Sequence, residues 1–297
     1  MLPKISSFLS RCFIEEQWCI GFVPSRVVSS SATSFYIPDS EVTWLDIPKS
    51  YFLADPTWLN ERKGQILCEY FHFAKRRGQL ARVCLKGSSV EKLDVLNSAS
   101  FHYSYPQIYI SDGKYRIIPE SAADNCLKEL IFDPEKARIV RENVLIQNSA
   151  IVDPCIFEFE GKYWMFCNPL KEFNTTLLVY SAKTFAELWS ADPRFYKISN
   201  CRGAGKLFMK GGELYWPTQV NTSTYGGGVL IRKVMSLTES EFEYEDVYTI
   251  HPDPNGKYPH GLHSIEFGEE LCLLDGKRRN FNLLKFANVI VSKLRRF

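Results

Sequence analysis

Four side chains near apparent strand ends have the chemistry of proton transfer: Asp55, Glu120, Asp153 and His263. Two carboxyl groups that flank a glycosidic bond can act as general base and general acid. A second group suits binding. Gln107, Asn168 and Gln219 are amides, His260 and Asp275 add an imidazole and a carboxylate, and Arg202, Lys206, Lys277 and Arg278 are cations. Guanidinium forks hold phosphate or carboxylate in bidentate fashion. The combination suits a carbohydrate that carries negative charge. His260 and His263 stand in His-Gly-Leu-His, but a zinc site needs more ligands than the sequence offers there, so no metal is assigned. Gly226-Gly227-Gly228 lacks the Lys-Ser/Thr of a phosphate loop and reads as the start of a strand. Lys277-Arg278-Arg279 can equally be read as a solvated loop.

These residues need elements that bring them to one place, and a long repeat supplies them. Asp153 to Asn168 reads as an alternating strand, a turn with Gly161, and a second alternating strand. The outline recurs at Tyr105–Glu120 and Ala204–Gln219, and more loosely at His260–Asp275 and from Asp55 to about Phe71. The turn glycines Gly64, Gly113, Gly161, Gly212 and Gly268 are spaced by 49, 48, 51 and 56 residues. Each hairpin is followed by more strand-like sequence, such as Leu177-Leu178-Val179-Tyr180. Four strands in about fifty residues is the size of a propeller blade. The expected fold is all-β, a single five-bladed β-propeller over residues 1–297. Its blades are expected near 50–98, 100–147, 149–199, 201–250 and 258–297, with 12–24 closing the ring. Ser121 to Leu130 offers one or two helical turns at most. A two-sheet sandwich is the competing architecture, but it does not explain five even copies.

In a propeller, the start of each first strand and the end of each second strand share one mouth of the channel. The starts are Asp55, Tyr105, Asp153, Ala204 and His260. The ends, counted seven from each turn glycine, are Phe71, Glu120, Asn168, Gln219 and Asp275, with Glu69 near the first. Polar groups should therefore converge there, rimmed by Arg202, Lys206, Lys277, Arg278 and Arg279, and make a ligand site.

Composition excludes several partners. Hydrophobic residues are 45%, charged residues 24%, and the net charge is +2, so no global field draws nucleic acid or a membrane surface. Aromatics at 14% suit packed sheets and sugar-stacking surfaces alike. No segment has the ~18–20 apolar residues of a membrane span. Nine cysteines, Cys12 among them, show no CxxC pair and mostly sit in apolar runs. They read as free thiols of a cytoplasmic protein.

Several motifs carry a family resemblance: Ala54-Asp55-Pro56, Ser104-Tyr105-Pro106-Gln107, Pro119-Glu120-Ser121, Val152-Asp153-Pro154, His260-Gly261-Leu262-His263 and Asp275-Gly276-Lys277-Arg278. Over roughly residues 45 to 280 the chain resembles the propeller-like N-terminal domain of plant glucosamine inositolphosphorylceramide transferases and its bacterial relatives. The resemblance implies a sugar context. In the plant proteins the glycosyltransferase domain is a separate region, and no such region is recognised in these residues. Bacterial relatives resemble parts of surface-polysaccharide pathways, sometimes joined to sugar formyltransferase-like domains. The implied function is an enzyme of surface-polysaccharide biosynthesis acting on a nucleotide-linked or phosphorylated sugar by glycosyl or acyl transfer. No cofactor is assigned, although the acyl case would use acyl-CoA as co-substrate. A glycosyltransferase or formyltransferase is the implied partner.

More distantly, the layout is similar to family 43 glycoside hydrolases. These place an Asp base on blade one, a pKa-tuning Asp on blade three and a Glu acid on a later blade. Asp55 and Asp153 match the first two positions. Blade four offers Ala204 and Gln219 where the acid belongs, so Glu120 or His263 would have to take its role. A glycosidase-like hydrolase and a non-catalytic sugar-binding module are the alternatives.

Overall fold

The computed structural model describes residues 14–28, 32–97, 99–111 and 113–281. Cys12, the start of the closing segment and the expected end of blade five lie outside these residues. The fold is an all-β, five-bladed propeller. Among the described residues, helical structure is limited to short 3-10 turns, so no helix is long and apolar enough to cross a membrane.

Blade one comprises Tyr51–Asn60, Gln65–His72, Arg77–Lys86 and Ser89–Val95. Blade two comprises Ser104–Ser111, Lys114–Glu120, Cys126–Asp133 and Arg138–Gln147. Ala122–Asp124 supplies one 3-10 turn inside the segment where a helical turn was expected. Blade three comprises Ile151–Phe159, Lys162–Pro169, Thr176–Ala182 and Arg194–Lys197. Blade four comprises Phe208–Lys210, Glu213–Gln219, Val229–Leu237 and Phe242–Pro252, with Ser34–Ile37 added in parallel at its outer edge.

Blade five joins the two ends of the chain. Its inner strands are Ile265–Phe267 and Leu271–Phe281, and its outer strands are Ile14–Pro24 and Thr43–Trp44. The closing ladder runs from Ile14 opposite Phe281 to Pro24 opposite Leu271. Closure satisfies backbone groups that would otherwise form open sheet edges.

Alternation along the strands sends apolar side chains to both faces of each blade, because both faces meet a neighbour. Five hydrophobic clusters result, one per seam. Leu67, Leu80 and Ile117 join blades one and two. Ile118, Met165 and Leu178 join two and three. Phe166, Trp164 and Trp216 join three and four. Ile231, Val229 and Leu274 join four and five, and Ile20, Leu53 and Ile66 join five and one. The eight described cysteines are free, and seven of them are buried.

The innermost strands break their ladders at corresponding places. Register shifts occur between Ala54 and Thr57, Ser104 and Gln107, and Val152 and Cys155. Within them Asp55, Tyr105 and Asp153 have φ of 49°, 46° and 48°, and a proline follows each. Proline offers no N–H to the ladder, and the left-handed residue turns its side chain away from the strand's alternation. That conformation costs about 1 kcal/mol for a residue with a Cβ. Three such residues stand at corresponding positions of blades one, two and three.

Candidate active site at the channel mouth

The ladders define which residues are equivalent. Ala54 pairs with Glu69, Ser104 with Glu120 and Val152 with Asn168. In blade five, Asp275 N donates to Ser264 O. Glu69, Glu120, Asn168 and Asp275 thus occupy one ring. Phe71, expected in that ring, lies one inward-facing position beyond it. His263, rather than His260, opens blade five.

Asp55, His263 and Asp275 form one half of the site. Both Asp275 oxygens are engaged: Oδ1 accepts from His263 N and Ser264 N at 3.0 and 3.1 Å, and Oδ2 accepts from Asp55 N at 3.1 Å. His263 Nδ1 lies 2.6 Å from Asp275 Oδ2, and Nε2 lies 3.7 Å from Asp55 Oδ1. Asp55 Oδ2 accepts from Tyr105 N at 3.2 Å. The imidazole lies flat on Trp18, with centroids 3.9 Å apart and planes at 14°, and meets the edge of Tyr225. Burial resists a charge on His263, but the Asp275 and Asp55 carboxylates outweigh it and hold its pKa above the ordinary value. Burial raises Asp55 to about 6, against the attraction of His263 and with added repulsion from Asp275 and Asp153.

Asp153, Arg202 and Glu120 form the other half. Arg202 donates through Nε to Asp153 Oδ2, and through one terminal nitrogen to Asp153 Oδ1 at 3.3 Å and Glu120 Oε2 at 3.4 Å. The guanidinium also lies over Phe173 and Tyr225, 5.0 and 5.2 Å from their centroids. Burial and the Asp153 carboxylate push Glu120 well above the usual carboxyl range, more than Arg202 pulls it down. Tyr105 crosses from blade two to blade four. Its hydroxyl donates to Gly205 O at 3.0 Å and accepts from Gly205 N at 2.8 Å.

Gly205 and Gly226 make this closeness achievable. Gly205 has φ of 133°, and a Cβ there would stand 1.9 Å from Ile265 O. Gly226 has φ of 62°, and a Cβ would stand 2.6 Å from His263 Cβ. The Gly226–Gly228 run therefore lays the preceding Tyr225 over the mouth.

Other expected groups are placed elsewhere. Asn168 donates to Thr176 O and Cys201 O, and Gln219 donates to Gly203 O, so both amides tie the ring's backbone together. Gln107 is buried two residues past Tyr105, where the ladder resumes opposite Ile118. Lys206 pairs with Glu266, which also accepts from Trp58 N nearer the turn end of blade one. Lys277 is fully buried, bonded to Tyr225 O at 2.6 Å and facing Trp18. Arg278 binds Gln17, Arg279 meets Glu16, and His260 N bonds Lys277 O. The expected basic rim is thus reduced to Arg202. The reason is that Leu271–Phe281 continues as a strand past Asp275 and pairs with Ile14–Pro24, so Lys277 turns inward beneath Tyr225 while Arg278 and Arg279 meet Gln17 and Glu16 of the neighbouring strand.

Asp55, His263 and Asp275 each offer one ligand atom within 4.8 Å of the others, the arrangement of a three-donor metal site. The hydrogen bonds to both Asp275 oxygens already account for that cluster. Three features of the site were not singled out by sequence: Trp18, Tyr225, and Tyr105 as a cross-channel strut; Glu69, expected only near the first ring position, occupies it. Tyr225 had one signal, its place just before three glycines.

The matching family model is "Glucosamine inositolphosphorylceramide transferase 1, N-terminal", over residues 43–259. The chain belongs to this family. It is 27% identical over 211 residues to glucosamine inositolphosphorylceramide transferase 1 of Oryza sativa subsp. japonica, covering 65% of this chain and 28% of that protein. It is 24% identical over 255 residues to the Arabidopsis thaliana protein of the same name, covering 77% of this chain and 32% of that one. The chain therefore spans about a third or less of these relatives. Among solved structures, an α-L-arabinofuranosidase of glycoside hydrolase family 43 from Clostridium thermocellum aligns with a TM-score of 0.50 and 13% identity. That alignment covers 74% of this chain and 79% of that one. At such identity the likeness is one of fold.

Proposed function

We propose that this propeller binds a sugar in the channel mouth and transfers it, with Asp55 as general base and Glu120 as general acid. The supporting observation is a pair of carboxyl groups, Asp55 in the His263 half of the mouth and Glu120 in the Arg202 half, whose environments suit opposite roles. Burial raises Asp55 only to about 6, which favours the carboxylate at neutral pH, whereas burial and the Asp153 carboxylate push Glu120 well above its usual range, toward the protonated form. In a transfer step, Asp55 takes the proton of an acceptor hydroxyl as that oxygen bonds the anomeric carbon. The bond from that carbon to the leaving oxygen breaks, and Glu120 gives this oxygen its proton. His263 stabilises the Asp55 carboxylate, and Arg202 holds Glu120 in place.

Charge favours an amine-bearing sugar. Asp55, Glu69, Glu120, Asp153 and Asp275 face the Arg202 guanidinium and the His263 and His102 imidazoles, and burial with mutual repulsion raises Asp55, Glu69 and Glu120, a repulsion that an ammonium group would relieve and a phosphate would add to. The relatives' names include glucosamine, which agrees. A nucleotide-linked or phosphorylated sugar would have Arg202 alone, in competition with Asp153 and Glu120. Water in place of the acceptor would give hydrolysis by the same two groups, so the choice between the two reactions rests on what occupies the acceptor position. The free thiols favour a cytoplasmic setting, and a separate glycosyltransferase or formyltransferase is the fitting partner in surface-polysaccharide assembly.

The test is incubation with a glucosamine-containing oligosaccharide as donor, a nucleotide-linked hexosamine as the comparison donor, and acceptor sugars, with products read by mass spectrometry. At saturating sugar, Asp55→Asn and Glu120→Gln should each lower transfer by about 100-fold or more. Unchanged turnover in both variants would remove the acid–base assignment, and free sugar as the main product would establish hydrolysis.

A further inference from the structure

Blade one differs from its neighbours above the mouth. Blade two ends its inner hairpin at Ser104 opposite Glu120, and blade three continues one pair further, to Ile151 opposite Pro169. Blade one continues for three pairs beyond Ala54 and Glu69: Leu53–Tyr70, Phe52–Phe71 and Tyr51–His72. Three pairs raise the hairpin by about 10 Å. Phe71 follows Glu69 on the same face, and Phe52 lies opposite it. Their rings stack in parallel at 4.8 Å, and Phe73 stands edge-on to both at 5.9 and 6.0 Å. All three rings are half-buried.

This apolar wall joins the carboxylate ring through His102. The His102 ring lies 6.4 Å from that of Phe71. Its Nδ1 accepts from Gly78 N at 3.0 Å, which leaves the proton on Nε2, 3.3 Å from Glu69 Oε1. Gly78 leaves room for the pair, since a Cβ there would stand 2.4 Å from Glu69 Oε1 and 2.6 Å from His102 Cε1. The outward end is therefore apolar and aromatic, and the inward end carries an imidazole and a carboxyl group.

We infer that Phe52, Phe71 and Phe73, with His102 and Glu69, form a second subsite that takes the ring of an acceptor sugar. A pyranose has an apolar C–H face for the phenylalanines and hydroxyls for His102 and Glu69. An alkyl chain would use the first feature and leave the second without a partner. The inference rests on the sugar-transfer reading above and adds where the acceptor lies.

The experiment is calorimetric titration with glucosamine, the β-1,4-linked glucosamine disaccharide and octyl β-glucoside. The disaccharide should bind about tenfold more tightly than glucosamine. In a Phe71→Ala/Phe73→Ala variant that advantage should vanish while glucosamine binding stays. Phe71→Leu/Phe73→Leu keeps the apolar volume and should lose the advantage too, which covers a failure of the alanine variant to fold. A disaccharide advantage that survives both variants overturns the subsite, as does an octyl chain that gains as much affinity as the second sugar. If glucosamine binds but the disaccharide gains nothing, the subsite alone falls. If glucosamine itself does not bind, the functional reading falls and takes the subsite with it.

Discussion

The two ends of the same hairpins obey opposite rules. At the turn end, Gly113, Gly161 and Gly212 have left-handed backbones with no atom within 4 Å of an added Cβ, and charges such as Glu213 and Lys233 face solvent. At the mouth end, the left-handed residues are Asp55, Tyr105 and Asp153, and carboxyl groups are buried against one another. A tight turn requires the first arrangement. Nothing in strand geometry requires the second, which costs both backbone strain and desolvation. Such costs persist where the arrangement serves a purpose, and the contrast is the one a site at the mouth, as proposed above, would produce.

The contrast can be tested by substitution at each end. The largest loss is expected for Asp275→Ala, which leaves three buried N–H groups and the His263 ring without their partner. The expected cost is about 3–5 kcal/mol, read by denaturant unfolding. A loss below about 1 kcal/mol would mean that the mouth network is not tightly held.

Arg202→Met should follow, at about 3 kcal/mol, because it leaves Asp153 and Glu120 unpaired. Adding Asp153→Asn should recover part of that loss. A strictly additive double variant would contradict the pairing.

The pH dependence comes next. Asp55 has a folded pKa of about 6 against 3.8 ordinarily, so between these values the folded state holds a proton that the unfolded state releases. Its effect is therefore a stability that falls as pH rises through about 4 to 6. Glu69 and Glu120, also raised, extend the fall to higher pH. His263 acts in the same direction. The stability it contributes is complete below its ordinary 6.5 and is lost as pH rises through its higher folded value. Thermal melts should thus give a lower Tm at pH 8 than at pH 5, with a smaller difference in Asp55→Asn. A Tm that rises over this range would contradict the burial of these groups.

The smallest effect belongs to the turn end. Gly161→Ala should cost about 1 kcal/mol, from φ of 72° alone, with no change in sugar binding.

The fold was legible because turn glycines and alternating strands recur at nearly constant spacing. The same counting rule misplaced one site residue. Gly64 ends a longer turn, through the 3-10 segment Glu61–Lys63, so the ring residue lies five positions beyond it at Glu69 and not seven beyond at Phe71. Asp55, Asp153, Glu120, Asp275 and His263 were legible because strand ends must share a mouth. The basic rim was not, because no pattern announces that Leu271–Phe281 runs on and folds Lys277 and Arg278 into blade five. Trp18 was beyond reach for a different reason: its contact with His263 joins opposite ends of the chain, and only ring closure creates it.

The most direct test is calorimetric titration of glucosamine, glucose and glucose 1-phosphate into the wild-type protein and Asp55→Asn at neutral pH. An acidic sugar site predicts that glucosamine binds most tightly and that Asp55→Asn weakens it by about tenfold or more. Tighter binding of glucose 1-phosphate, or glucosamine binding unchanged in Asp55→Asn, would contradict it.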